Sequence, residues 1–123
     1  MPIDLRYRIR DALAALLTRE PGDAFVIFED KAAGKFVQFA GSSEEPLLLD
    51  LPSQPLSKEE FARAKTFFAS HGVQPKSPYP SGEGPVSFNL HFQSPDEAAD
   101  TVLAIFQEVY GYSEMPELTI TEN

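Results

Sequence analysis

The stretch FVIFEDKAAGKFVQFAG, residues 25–41, decides how this chain is read. Two runs of aromatic and β-branched residues flank a charged turn that contains glycine, a pattern that predicts a β-hairpin. Successive side chains of a strand point to opposite faces, so a strand with one wet face alternates apolar and polar residues. FVIF does not alternate. One face of the hairpin carries Phe25, Ile27, Phe36 and Gln38, and the other carries Val26, Phe28, Val37 and Phe39. Something must cover the second apolar face: the domain's own helices, a second subunit or a client chain. An apolar patch of that extent left bare is unusual in a monomer.

Working outward, residues 4–19 place Leu5, Ile9, Ala12, Leu13 and Leu16 at spacings of three and four, the stripe of an amphipathic helix, and Pro21-Gly22 stops it. After the hairpin, the short link at 41–46 leads to a third apolar run, 47–51, which favours an antiparallel meander. Ser57-Lys58-Glu59-Glu60 is a capping box, with Leu56 and Phe61 placed as a hydrophobic staple. The helix it opens is expected over 58–71, with Phe61, Ala64 and Phe68 inward and Gly72 as its left-handed cap.

The stretch GVQPKSPYPSGEGP, 72–85, reads as an edge strand near 73–76 that gives way to an irregular loop, since prolines are tolerated only at sheet edges. Residues 86–93 alternate cleanly, with Val86, Phe88, Leu90 and Phe92 inward and Ser87, Asn89, His91 and Gln93 outward. Ser94-Pro95-Asp96-Glu97 opens a last helix whose apolar face is Ala98, Val102, Ile105, Phe106 and Val109, ending at Gly111. The expected order is α-β-β-β-α-β-β-α: an α+β domain with a twisted antiparallel sheet and three helices over residues 1–112. An acidic tail, 113–123, follows, frayed unless it adds to a sheet edge.

Composition bounds the function. A chain of 123 residues with ten Phe and 42% hydrophobic residues is one domain with a real core. It has no Cys, so it offers neither disulfides nor thiolate nucleophiles, and this usage suits the cytoplasm. Although Arg6, Arg8 and Arg10 precede LAALL, that apolar run is too short for a signal peptide and Asp4 and Asp11 interrupt it. A cytoplasmic protein without a membrane span is expected.

The formal net charge is −9, all of it after residue 35, and no Lys or Arg follows Lys76. Nucleic acid and anionic membranes are therefore not expected partners, because phosphate binding needs clustered cations. Such a field solubilises the surface or steers basic partners.

Catalysis and metal binding have poor material. Ser87, Asn89 and His91 share an outward strand face, but no nucleophile turn of the G-x-S-x-G kind is present. His71 and His91 lack ligand spacing, and the paired acids Glu59-Glu60 and Asp96-Glu97 belong to helix starts. SGEGP lacks the GK[ST] of a phosphate loop. No catalytic residue, metal or cofactor is expected.

The hairpin FVIFEDKAAGKFVQFAG, the following LLLDLPSQPLSKEEFARAKTFFASHGV and the closing FNLHFQSPDEAADTVLAIFQEVYG together resemble the type III secretion chaperone-like superfamily, with its YbjN and TY-Chap relatives in bacteria. The likeness lies in element order and hydrophobic pattern. It implies a non-enzymatic homodimer that binds a segment of a client protein across sheet and helix surfaces, without ATP. The alternative is a structural or regulatory adaptor with no chaperone activity. Val26, Phe28, Val37 and Phe39 of the sheet and Phe67 of the second helix are the candidate contact residues. Tyr79, in an extended Pro-rich segment, is a further recognition handle.

Overall fold

The computed structural model describes residues 3–77 and 85–123. Its elements are α1 (Ile3–Leu16), β1 (Phe25–Asp30), β2 (Lys35–Ser42), β3 (Glu45–Pro52), α2 (Lys58–Ala69), β4 (Ser87–Phe92), α3 (Pro95–Ala104) and β5 (Thr119–Glu122), and α3 continues as one π-helical turn, Ile105–Val109. All strand pairs are antiparallel, in the order β4-β3-β2-β1-β5. The α+β class, the antiparallel sheet and the three helices are as the sequence predicts.

Local chemistry sets the helices. The expected stripe of α1 is buried from Leu5 to Leu16. At the start of α2 the Ser57 hydroxyl accepts from the Glu60 amide at 3.1 Å, while a Glu60 carboxylate oxygen accepts from the Ser57 amide at 2.9 Å. Gly72 follows with φ +75, a left-handed conformation that costs glycine nothing. Ser94 caps α3 with Pro95 in the first turn, where its missing N–H is no loss. At the π-helical end the Tyr110 amide reaches back to the Ile105 carbonyl at 3.0 Å, and Arg63 of α2 donates to the Val109 carbonyl at 2.8 Å. α3 thus packs on α1, and its π-helical end packs on α2.

Register then fixes which strand residues meet the helices. Val26, Phe39, Leu49 and Leu90 form one row across β1 to β4, flanked by Phe28 with Val37 on one side and Leu47 with Phe92 on the other. These side chains join the buried faces of all three helices in a single core. Phe28 and Phe39 meet edge-on at 6.2 Å, and Phe68 of α2 stacks on Phe88 of β4 at 4.7 Å.

The element order differs from expectation at one place: the fifth strand comes from the tail, giving α-β-β-β-α-β-α-β. Residues 73–76 contribute only an isolated bridge, Lys76 to Ser87, because Pro75 has no N–H to continue the ladder. The tail has what they lack. Ile120 pairs opposite Phe28, Leu118 is buried in the core, and Phe25 and Asn123 exchange backbone bonds at 3.0 and 3.2 Å. Residues 119–122 of the tail thus add a strand to the edge of the domain's sheet. Of the Pro-rich loop, residues 78–84 lie outside the described residues.

A polar cluster pins this arrangement from the core side. Tyr112, just past α3, donates its hydroxyl to the buried carboxylate of Asp30, which also accepts the Ala32 amide of the hairpin turn. Tyr110 donates to the Phe36 carbonyl at 2.5 Å, and Lys35 forms an ion pair with buried Glu60. Burial first, and then the Asp30 carboxylate, pushes the Tyr112 phenol up to about 12. Burial alone would raise the Glu60 carboxyl, but Lys35 and the Ser57 amide outweigh it and hold the group below its usual range.

These shifts have signs that can be checked. A raised phenol stabilises the fold below its ordinary pKa of 10.0, and that contribution is lost as pH climbs from there towards about 12. A depressed carboxyl stabilises above its ordinary 4.5, and its contribution is lost as pH falls through the lower folded value. In urea midpoints measured against pH, Tyr112→Phe should flatten the alkaline limb and Glu60→Gln the acid limb. Limbs identical to those of the wild type would refute the assignment.

Candidate functional site

The same alternation that fills the core leaves a second set of side chains on the opposite face. Ile27, Gln38, Asp50 and Asn89 form its central row across β1 to β4. Phe25, Ala40, Leu48 and His91 form the next row, and Phe36 pairs with Glu29 on the far side of the centre. Phe25, Ile27, Phe36 and Leu48 are half-buried yet belong to no part of the core. Among the described residues no helix lies on this side, for all three pack on the other.

Asp50 stands in the middle of this open face. Aspartate is depleted in strands because its short polar side chain competes with the ladder. Here it is held from both flanks: Gln38 donates its side-chain amide to one carboxylate oxygen at 2.9 Å and Asn89 donates to the other at 3.1 Å. The three side chains form a polar ladder across β2, β3 and β4, surrounded by apolar groups. No Lys or Arg stands on the outward positions of the five strands.

The expected contact residues fare differently. Val26, Phe28, Val37 and Phe39 are each at most 1% exposed and lie under the helices, so they cannot form a binding surface in this fold. The physical reason is that both phases of the hairpin are apolar, and alternation alone does not say which phase faces the helices. Charge misleads as well: Glu29 sits outward with Ile27, whereas Asp30 sits inward with Phe28, made tolerable there by Tyr112. The half-buried apolar face outside the core is therefore the opposite one.

Phe67 is half-buried in a groove of about 700 Å³ between α2 and the end of α3, edge-on to Phe68 and beside His71. Arg63, Asp100 and Glu108 line the same groove, with Asp100 engaged by Arg6 of α1 at 2.7 Å. Tyr79 lies outside the described residues. The structure thus separates Phe67, on the helix side, from the open sheet face.

The outward trio of β4 is not drawn together. Asn89 is committed to Asp50, and the side chains of Ser87 and His91 make no hydrogen bond. Among the described residues no three His, Asp or Glu side chains gather as a metal would need. Among them, too, no helix is long and apolar enough to cross a membrane. Comparison with family models, characterised proteins and solved structures returned no match.

Leu48 and Asp50 are the members of the site that sequence reading missed. LLLDL offers leucine in both phases, but its one charge marks the outward phase, and two residues back from Asp50 is Leu48. Adjacent leucines then test the assignment. Leu49→Ala, which opens a cavity in the core, should cost about 2–5 kcal/mol in chemical denaturation. Leu48→Ala should cost about 1 kcal/mol or less, since it removes area from a face already in partial contact with water. Equal losses at the two positions would contradict the assignment.

Proposed function

We propose that this chain is a non-enzymatic protein-binding domain, of the secretion-chaperone-like kind its sequence resembles, that engages a partner polypeptide through the open face of its sheet. The observation that carries this reading is the set Phe25, Ile27, Phe36 and Leu48, apolar, half-buried and outside the core. Apolar side chains gathered on one uncovered face gain free energy from a partner's apolar surface, roughly 25 cal/mol per Å² removed from water. The held polar ladder at the centre gives that surface an orientation.

The alternative occupant is a second copy, the homodimer that the resemblance implies. Pairing two open faces would gather Glu29 and Asp50 of both copies in one interface, in a chain whose net charge is already −9. Like charges in a desolvated interface oppose association, so the acidic centre favours a different partner over self-pairing.

A helical peptide with a plain leucine stripe serves as the probe. It should bind the wild type saturably in fluorescence anisotropy, and Ile27→Ser/Leu48→Ser should abolish binding while urea unfolding remains cooperative. Absence of binding, or binding indifferent to the double variant, would refute the reading. Sedimentation at tens of micromolar supplies the second arm: a dimer that the same variant dissociates would assign the face to self-pairing.

A further inference from the structure

The geometry points to the kind of partner: we propose that the open face receives an amphipathic helix whose apolar stripe carries one lysine or arginine, seated on Asp50. This rests on the protein-binding reading above and adds the chemistry of the occupant.

Three observations lead there. The first is the state of the carboxylate. An aspartate offers about four lone-pair sites, and Gln38 and Asn89 fill one on each oxygen, at 2.9 and 3.1 Å. The group is thus fixed in orientation and still able to accept from outside. A cation on a partner would find an acceptor already ordered, so little side-chain freedom is lost when the pair forms.

The second is what surrounds it. Leu48 and Phe25 stand one row to one side of the Asp50 row, Phe36 one row to the other, and Ile27 at its end. A ligand covering these groups removes water from the carboxylate at the same time. A buried charge without a partner is costly, so an apolar ligand lacking a cation still binds but gives up part of what its apolar contacts gain. A cation within the stripe turns that penalty into a charge-assisted bond.

The third is sign and size. Glu29 and Asp50 stand outward with no Lys or Arg on the outward strand positions, and Lys76, which lines a recess with Leu48, Asn89 and His91 beside the face, makes no ion pair with Asp50 among the described residues. Strands lie about 4.8 Å apart, so the four-strand central row spans about 14 Å. A helix is about 10–12 Å across with its side chains and fits that width. An added strand would need a sheet edge instead, and β1 to β3 present none, being paired on both sides.

Two synthetic peptides of identical composition provide the test, each about 14 residues, or four turns, and stapled as a helix. One carries lysine at the centre of its leucine stripe and glutamine on the polar face; the other exchanges the two. Overall charge is the same in both, so the acidic field of the protein acts on them equally.

By fluorescence anisotropy at moderate salt, the stripe-lysine peptide should bind the full chain about tenfold more tightly, which corresponds to about 1.4 kcal/mol. Asp50→Asn should abolish that preference, and Glu29→Gln should preserve it. Should Asp50→Asn fail to fold, moving the lysine one turn along the stripe in the first peptide replaces it, with the preference expected to fall in the wild type. Equal affinities of the two peptides would overturn the cation's role while leaving the docking face standing. A preference that survives Asp50→Asn, or lysine tolerated at any turn, would overturn the seat on Asp50. Failure of both peptides to bind would overturn the docking face itself.

Discussion

Everything in this fold follows from all three helices being used on one side of the sheet. Five strands at about 4.8 Å spacing make a surface about 19 Å wide, and packed helices lie about 8–10 Å apart. Two or three helices therefore tile one face, and α3, packed on α1 and through its π-helical end on α2, completes the layer. The chain has no fourth helix among its described residues to lay on the other side. Among the described residues, a sheet whose hairpin is apolar in both phases therefore carries helices on one face only.

The two faces solve the burial of polar groups differently. On the helix side, the carboxylates of Asp30 and Glu60 are carried into the interior and each meets a donor, Tyr112 and Lys35 respectively. No buried side-chain donor or acceptor is left without a partner among the described residues. Those bonds also hold the segment after α3 against the hairpin, from which the chain runs on to place β5 beside β1. On the open side, Asp50 is bound only by amides. One face is electrostatically closed, and on the other no cation is paired with Asp50 among the described residues.

Much of the architecture was legible in the sequence. Spacings of three and four gave α1, the Ser57 and Ser94 caps located the starts of α2 and α3, and the alternation of VSFNLHF assigned the faces of β4. What could not be read was decided by tertiary contact. FVIF fits either phase, and only packing against the helices selects Val26 and Phe28 for the core, whereas in LLLDL the one charge already points to Leu47 and Leu49. Similarly, LTIT is too short to announce a strand, and its place beside β1 depends on Leu118 and Ile120 finding apolar neighbours. The candidate surface was legible as a pair of alternatives, and the phase first chosen as the surface is the one the helices bury.

The most direct measurement of this one-sided covering is solvent paramagnetic relaxation of the assigned methyl groups, using a neutral, soluble gadolinium chelate. The methyls of Ile27 and Leu48 should relax strongly, whereas those of Val26, Val37, Leu47 and Leu49 should remain shielded. Comparable shielding of both sets in the free protein would mean that the second face is also covered, and the account of an open, partner-seeking sheet would be contradicted.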